Sequence, residues 1–204
     1  MGHEGKIIDA SFVDVPRQRN SRKENEEIKL GKVPEVFKEN GNRLRQKDVE
    51  TRWAKKGKEV HYGYKDHVKV DRRTKLIEDY EVTEASVHDS QAVEDLVEKG
   101  DGTLHANSAY GGEKIETILK EKCVKGEICE KGYRNHPLSE EQKKSNRKKS
   151  RILARVEHIF GFMTNTMRDG LKIRWIGMRR NAVGIGLLNL VYNMARYEQI
   201  LRLK

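Results

Sequence analysis

The chain has 204 residues, with 42 Lys plus Arg against 32 Asp plus Glu, a formal net charge of +10, and 36% charged against 35% hydrophobic residues. That length suits one domain with a real core, and the cationic excess makes a polyanion the first partner to consider. The two cysteines, Cys123 and Cys129, exclude a disulfide framework and a four-ligand structural zinc site, and read as ordinary half-buried thiols in a reducing compartment.

The N-terminus lacks the apolar run of a signal peptide, and Gly2 opens no myristoylation motif because Lys6 stands where Ser or Thr is needed. The longest weakly charged stretch, 181–195, falls short of the roughly 20 apolar residues of a membrane span. A soluble protein with no membrane partner is expected.

Residues 6–15, KIIDASFVDV, are apolar and β-branched up to Pro16 and predict a strand. Asp9 inside it, among Ile8, Phe12 and Val13, either costs free energy or binds something. Residues 17–58 turn to Arg, Lys, Asn, Glu and Gln, which predicts a mobile, solvated insertion with one short helix near 33–38. Such a loop is either merely charged or touches nucleic acid. Its Trp53 either packs on the body or stacks on a base.

Residues 61–82 read as a hairpin, with Tyr62, Tyr64, Val68 and Val70 on one face and a turn at 71–75. Asp89-Ser90 offers an N-cap for a helix carrying Ala92, Val93, Leu96 and Val97, ended by Gly100. His88-Asp89 reads as capping chemistry rather than metal ligation. A short strand at 103–106 leads into the turn Asn107-Ser108-Ala109-Tyr110-Gly111-Gly112. A helix with Ile115, Ile118 and Leu119 follows, then a short strand at 124–129. The order predicts an α/β layout with a mixed sheet.

Residues 140–151 hold Lys143, Lys144, Arg147, Lys148, Lys149 and Arg151 against Glu140 and Glu141, the pattern of a solvated helix face or of a phosphate contact. Ile152, Val156, Ile159, Phe160, Met163 and Met167 continue as an amphipathic stripe with Glu157 at its border. After a break at Gly170, a final helix from about Asn181 carries Leu187, Leu190, Val191, Met194 and Leu201, predicted as another buried stripe with the methionines as core filler.

Asp9, Asn107 and Glu157, with Lys and Arg around them, are the candidate constellation. Two hard divalent cations need converging oxygen ligands to activate a nucleophile and stabilise the leaving oxygen of a phosphodiester. Spacing alone does not show convergence, and isolated acids are more often structural or solvated.

The strings IIDASFVDVPRQRN at 7–20, HYGYKDHVKVD at 61–71, EVTEASVHDSQA at 81–92, LHANSAYGG at 104–112, RVEHIFGFM at 155–163 and RRNAVGIGLLNLVYNMARY at 179–197 resemble a bacterial insertion sequence transposase. The resemblance is to the insertion sequence five family, within the wider DDE transposase group, and runs from about Gly5 to the end. It implies a ribonuclease H-like mixed sheet flanked by helices at 1–170, with the 17–58 insertion after the first strand and a helical extension at 171–204. It also implies Mg²⁺ or Mn²⁺ in a two-metal site, action on double-stranded DNA at element ends and target, and a bacterial, nucleoid-associated cytoplasmic setting. A homodimer is compatible with it.

Carried over residue by residue, Asp9 matches the first aspartate and Glu157 the glutamate, while Asn107 stands where the second aspartate belongs. An amide lacks the charge that holds two divalent ions together, so weakened metal binding and an inactive catalytic fragment are expected. The three side chains are expected within about 4 to 8 Å of one another. Lys65, Lys143, Lys144, Arg147, Lys148, Lys149, Arg151 and Arg155 are the expected DNA contacts. Two departures accompany Asn107: Met163-Thr164-Asn165-Thr166 stands between Glu157 and Arg168, where relatives carry a basic residue, and only eight residues precede Asp9, so a DNA-recognition segment is expected to be missing. The alternative reading is a non-catalytic DNA-binding or oligomerising remnant.

Overall fold

The computed structural model describes residues 5–167 and 171–203; Gly2, Arg168 and Gly170, which enter the sequence reading, lie outside the described residues. Its centre is a six-stranded mixed sheet. The strands are β1 (Lys6–Asp14), β2 (Arg52–Lys56), β3 (Glu59–Asp71), β4 (Ile77–Glu84), β5 (Thr103–Ala106) and β6 (Lys125–Ile128), in the order β2-β3-β1-β5-β6 with β4 also on β3. The length of β3 explains this branching. Its first residues pair with β2 and its later ones with β4, both antiparallel, while its other edge carries β1. β5 and β6 add in parallel on the far side of β1. At Gly63 the backbones of β1 and β3 come so close that a Cβ would sit 2.1 Å from the Val13 carbonyl oxygen.

Strand alternation sends β1 side chains to two cores. Ile8 packs with Leu96, Leu104, Tyr110, Ile115 and Leu119 under α4 (Val93–Leu96) and α5 (Glu113–Glu121). On the opposite face Ile7 packs with Val68, Val70, Val156, Ile159 and Met163, and Val13 with Tyr64 and Ile185, under α6 (Glu140–Asn165) and α7 (Met178–Arg202). The long α6 begins at a capping box, in which Ser139 accepts from the Gln142 backbone and Gln142 accepts from the Ser139 backbone. The turn before α5 needs glycine, since Gly112 has φ 140°.

The 17–58 segment corrects the expectation of a solvated insertion with one helix. It folds into α1 (Arg22–Lys29), α2 (Glu35–Lys38) and α3 (Gly41–Arg45) before β2. Few apolar residues suffice because charged groups do the anchoring. Ile28 and Phe37 are buried, Arg43 lies 5.0 Å from the centre of the Phe37 ring, and the same guanidinium donates to Glu24 at 2.6 Å. Asp48 is the main tie. Buried at 2% exposure, its carboxylate accepts from the Tyr64 hydroxyl at 2.7 Å and from the backbones of Glu50, Thr51 and Gly177 at 3.0, 3.2 and 2.9 Å, joining the insertion to β3 and to the start of α7. Trp53 lies in β2, packed on Tyr62 with ring centres 4.6 Å apart.

α7 is the second correction. Leu187, Leu190, Val191, Met194 and Leu201, expected inside, are half or more exposed, and the helix instead buries Asn181, Gly184, Ile185, Asn189 and Tyr192. Its inner face is held by polar bonds. The Asn193 side chain both accepts from and donates to the Ile77 backbone at 2.8 and 2.7 Å, Tyr192 donates to the Lys75 carbonyl at 2.9 Å, and Asn189 donates to the buried Asp66 at 3.2 Å. Gly184 and Gly186 let Trp175 and Tyr80 press against the helix backbone, where a Cβ would meet them at 2.1 and 2.2 Å. Of the methionines, Met163 is core while Met194 faces solvent; Cys129 is half-buried and Cys123 exposed, which corrects the reading of Cys123. No helix among the described residues is long and apolar enough to cross a membrane.

Candidate active site

The β1–β5 register pairs Lys6 with Leu104, and the same offset carried three residues on sets Asp9 level with Asn107 just past the end of β5. Asp9 lies on the α6 face of the sheet, between Ile7 and Val13 in the alternation, and Asn107 caps the short 3₁₀ turn Ser108–Tyr110. The Asn107 side chain has a fixed polarity. Its Oδ1 accepts from the Ala109 backbone N–H at 2.8 Å, so its Nδ2 is the end that faces Asp9 and donates to Oδ1 at 3.2 Å. A backbone N–H can only donate, which rules out the flipped amide.

Burial pushes the Asp9 carboxyl up to about 6, and the negative charges of Asp89 and Glu157 push it further in that direction. The Ala10 backbone N–H and the charge of Lys56 pull it down. Glu157 stands on α6 beside buried Val156, is itself exposed, and reaches Asp9 through its charge rather than through a hydrogen bond. The structure therefore brings Asp9 and Asn107 into contact and leaves Glu157, on α6, linked to Asp9 by its charge alone.

Two charges at this site escaped the sequence reading. Lys56, at the end of β2, and Asp89, in the turn after β4, both act on Asp9 across long sequence separations that no local pattern signals. Asp89 also corrects the capping assignment. His88 caps this turn, accepting from the Ser90 backbone, whereas Asp89 pairs with Lys65 at 2.7 Å. Lys65 also donates to the Val87 carbonyl at 2.7 Å and lies 5.2 Å from the centre of the Phe12 ring. Its ammonium is buried and used inside the fold, in place of the expected phosphate contact or solvated strand lysine. Tyr110 completes the surroundings. Its hydroxyl is buried and, among the described residues, without a hydrogen-bond partner, and burial together with the Asp9 and Asp89 charges raises its pKa well above the ordinary range.

The expected cationic run occupies the first half of α6. Lys144, Arg147, Lys148 and Arg151 are exposed there, while Lys143 pairs with Glu140 at 2.7 Å. Lys149 donates to the Ile128 carbonyl at 2.7 Å, and Arg155 donates to the Arg72 carbonyl at 2.6 Å. Two concavities flank this helix. One, of about 300 Å³, is lined by Arg72, His105, Lys125, Glu127, Lys148 and Lys149; the other, of about 590 Å³, is lined by Lys143, Arg147 and Arg151 among others. Both ring nitrogens of His105 are buried and, among the described residues, without a hydrogen-bond partner, and burial together with the nearby cations moves its pKa below the ordinary imidazole value.

A family model described as a transposase DDE domain matches residues 1–194. The chain belongs to the transposase DDE domain family. No solved structure matches it. The family implies DNA binding and a transposase-type function, and its members generally use divalent metals. The residues of this DDE domain do not fit that group as they stand. Among the described residues no three His, Cys, Asp or Glu side chains are grouped to hold a metal ion. The position between Asp9 and Asn107 is bridged by an N–H donor, so the amide supplies hydrogen where a cation would need oxygen.

Proposed function

We propose that this DDE domain has a ribonuclease H-like fold of the insertion sequence five type that binds double-stranded DNA but does not cleave it. The topology supports the first part: β4, β3 and β1 form an antiparallel run, β5 and β6 extend it in parallel, and Asp9 lies on the central strand. The cationic half of α6 and the two concavities beside it support the second. Exposed Lys144, Arg147, Lys148 and Arg151 on one helix, with Lys125 and Lys149 lining the concavity beside it, offer the sequence-independent phosphate contacts that duplex binding needs.

The observation that carries the loss of cleavage is the Asn107 to Asp9 bond. In a two-metal transposase the aspartate pair gathers positive charge between its members. Here the amide hydrogen takes that place, donating to the Asp9 carboxylate, and the pair carries one negative charge fewer than two aspartates would. Asp9, Asn107 and Glu157 would be the remains of the catalytic triad, and transposition chemistry at element ends would need a complete copy supplied from elsewhere.

The test is a nicking assay on supercoiled and element-end DNA with Mg²⁺ or Mn²⁺, paired with calorimetry of metal binding for the wild type and Asn107→Asp. No metal-dependent nicking is expected from the wild type, and Asn107→Asp is expected to raise metal affinity by about tenfold or more, as ligand charge count governs such sites. Wild-type cleavage that disappears in Asp9→Ala would overturn the reading.

A further inference from the structure

α7 turns to solvent an apolar row that its own fold does not use. Val183, Leu187, Leu190, Met194, Tyr197 and Leu201 are exposed at 58, 52, 54, 65, 56 and 51%. Successive members alternate between four and three residues apart, the a/d alternation of a heptad seam with its period of 3.5. A helix built to lie on a globular core carries a wider stripe. Here most flanking positions are small or polar, including Gly184, Gly186, Asn193 and Glu198, with Val191 broadening one side.

The row cannot roll inward, because the opposite face is already committed. Asn189 is bonded to Asp66, Tyr192 to the Lys75 carbonyl, Asn193 to both backbone groups of Ile77, and Arg196 to the Thr74 carbonyl. A row with no charged side chain in its seam does not suit DNA, whose recognition needs cations. It suits an equal apolar row. At these exposures one copy leaves on the order of 600 Å² of apolar side chain in water, at the upper end for a monomer; two copies joined there would bury about 1,200 Å², the lower bound of a specific interface.

We propose that this row is a homodimer seam, on which a second copy of the chain lays its own α7 with Val183, Leu187, Leu190, Met194, Tyr197 and Leu201 interdigitating across a two-fold axis. One patch serves both subunits because an isologous contact requires only self-complementarity. The proposal stands apart from the catalytic reading, which rests on Asp9, Asn107 and Glu157 and uses none of these residues.

The test is sedimentation velocity of the full chain over the micromolar range, for the wild type, for Leu190→Glu with Met194→Glu, and for Val36→Glu, an exposed apolar position on α2. A dimer is expected for the wild type and Val36→Glu, with its dissociation constant raised about a hundredfold or more in the double variant, since two charges would enter the seam of each helix. A wild type that stays monomeric, or a dimer that survives the double substitution, would overturn the proposal. Hydrogen exchange of the wild type at low and high concentration covers the case of a misfolded variant. Concentration-dependent protection confined to 183–201 is expected; protection elsewhere, or none, counts against the seam.

Discussion

Asp9 is a half-buried carboxylate whose side-chain hydrogen-bond partner is the neutral amide of Asn107. Its carboxyl titrates near 6 in the folded chain against an ordinary 3.8, with burial as the main cause. Between about pH 4 and pH 6 the folded state holds a proton that the unfolded chain has released, so stability falls as pH rises through that window and stays reduced above it. Asp9→Asn is therefore expected to stabilise the domain at pH 7.5 by on the order of 2 kcal/mol and to have little effect at pH 4. Urea denaturation at the two pH values measures this; a variant less stable at pH 7.5 would show that the ionised group is held by favourable contacts instead.

At the scale of elements, the domain relies on acids and amides as ties between segments. Asp48 connects the insertion, β3 and the entry to α7 by accepting from the Tyr64 hydroxyl, the backbone N–H groups of Glu50, Thr51 and Gly177, and, at 3.5 Å, the Asn181 amide. Asp48→Ala leaves the Tyr64 hydroxyl and three backbone N–H groups unsatisfied in a buried setting and is expected to lower stability by about 3 kcal/mol or more. Thermal melting gives the size of the loss, and hydrogen exchange locates it, with the largest increases expected at 47–56 and 175–181. α1 and α6 show the same economy, each started by a capping box rather than by a long apolar face.

For the molecule as a whole, the charge is directional. Lys144, Arg147, Lys148 and Arg151 share the outward side of the first half of α6, whereas many other cations are drawn into internal pairs, such as Lys6 with Glu78, Lys65 with Asp89 and Lys69 with Glu98. Under the proposed DNA-binding role, Lys144→Ala with Lys148→Ala should lower the slope of log affinity against log salt by about 2, measured by anisotropy with duplex DNA. Lys65→Ala should leave that slope unchanged while reducing thermal stability, because its ammonium is bonded to Asp89 and Val87.

Much of this architecture was legible in the sequence. The alternation of apolar and β-branched residues set β1, β3 and β4, the stripe from Ile152 to Met163 set the second half of α6, and the Gly111-Gly112 turn marked the start of α5, because each of these signals is local. Asp9, Asn107 and Glu157 could be named as a set only through the resemblance to DDE transposases, since their spacing alone does not bring them together. The contact of Asn107 with Asp9, the orientation of the amide and the charges of Lys56 and Asp89 came only from the tertiary structure, since they join segments far apart in the chain. The same reason decided the insertion and α7. Periodicity shows that a helix has an apolar row, but which face docks depends on partners elsewhere, and in α7 the amides and glycines found theirs on β4 and Trp175, leaving the apolar row to face outward.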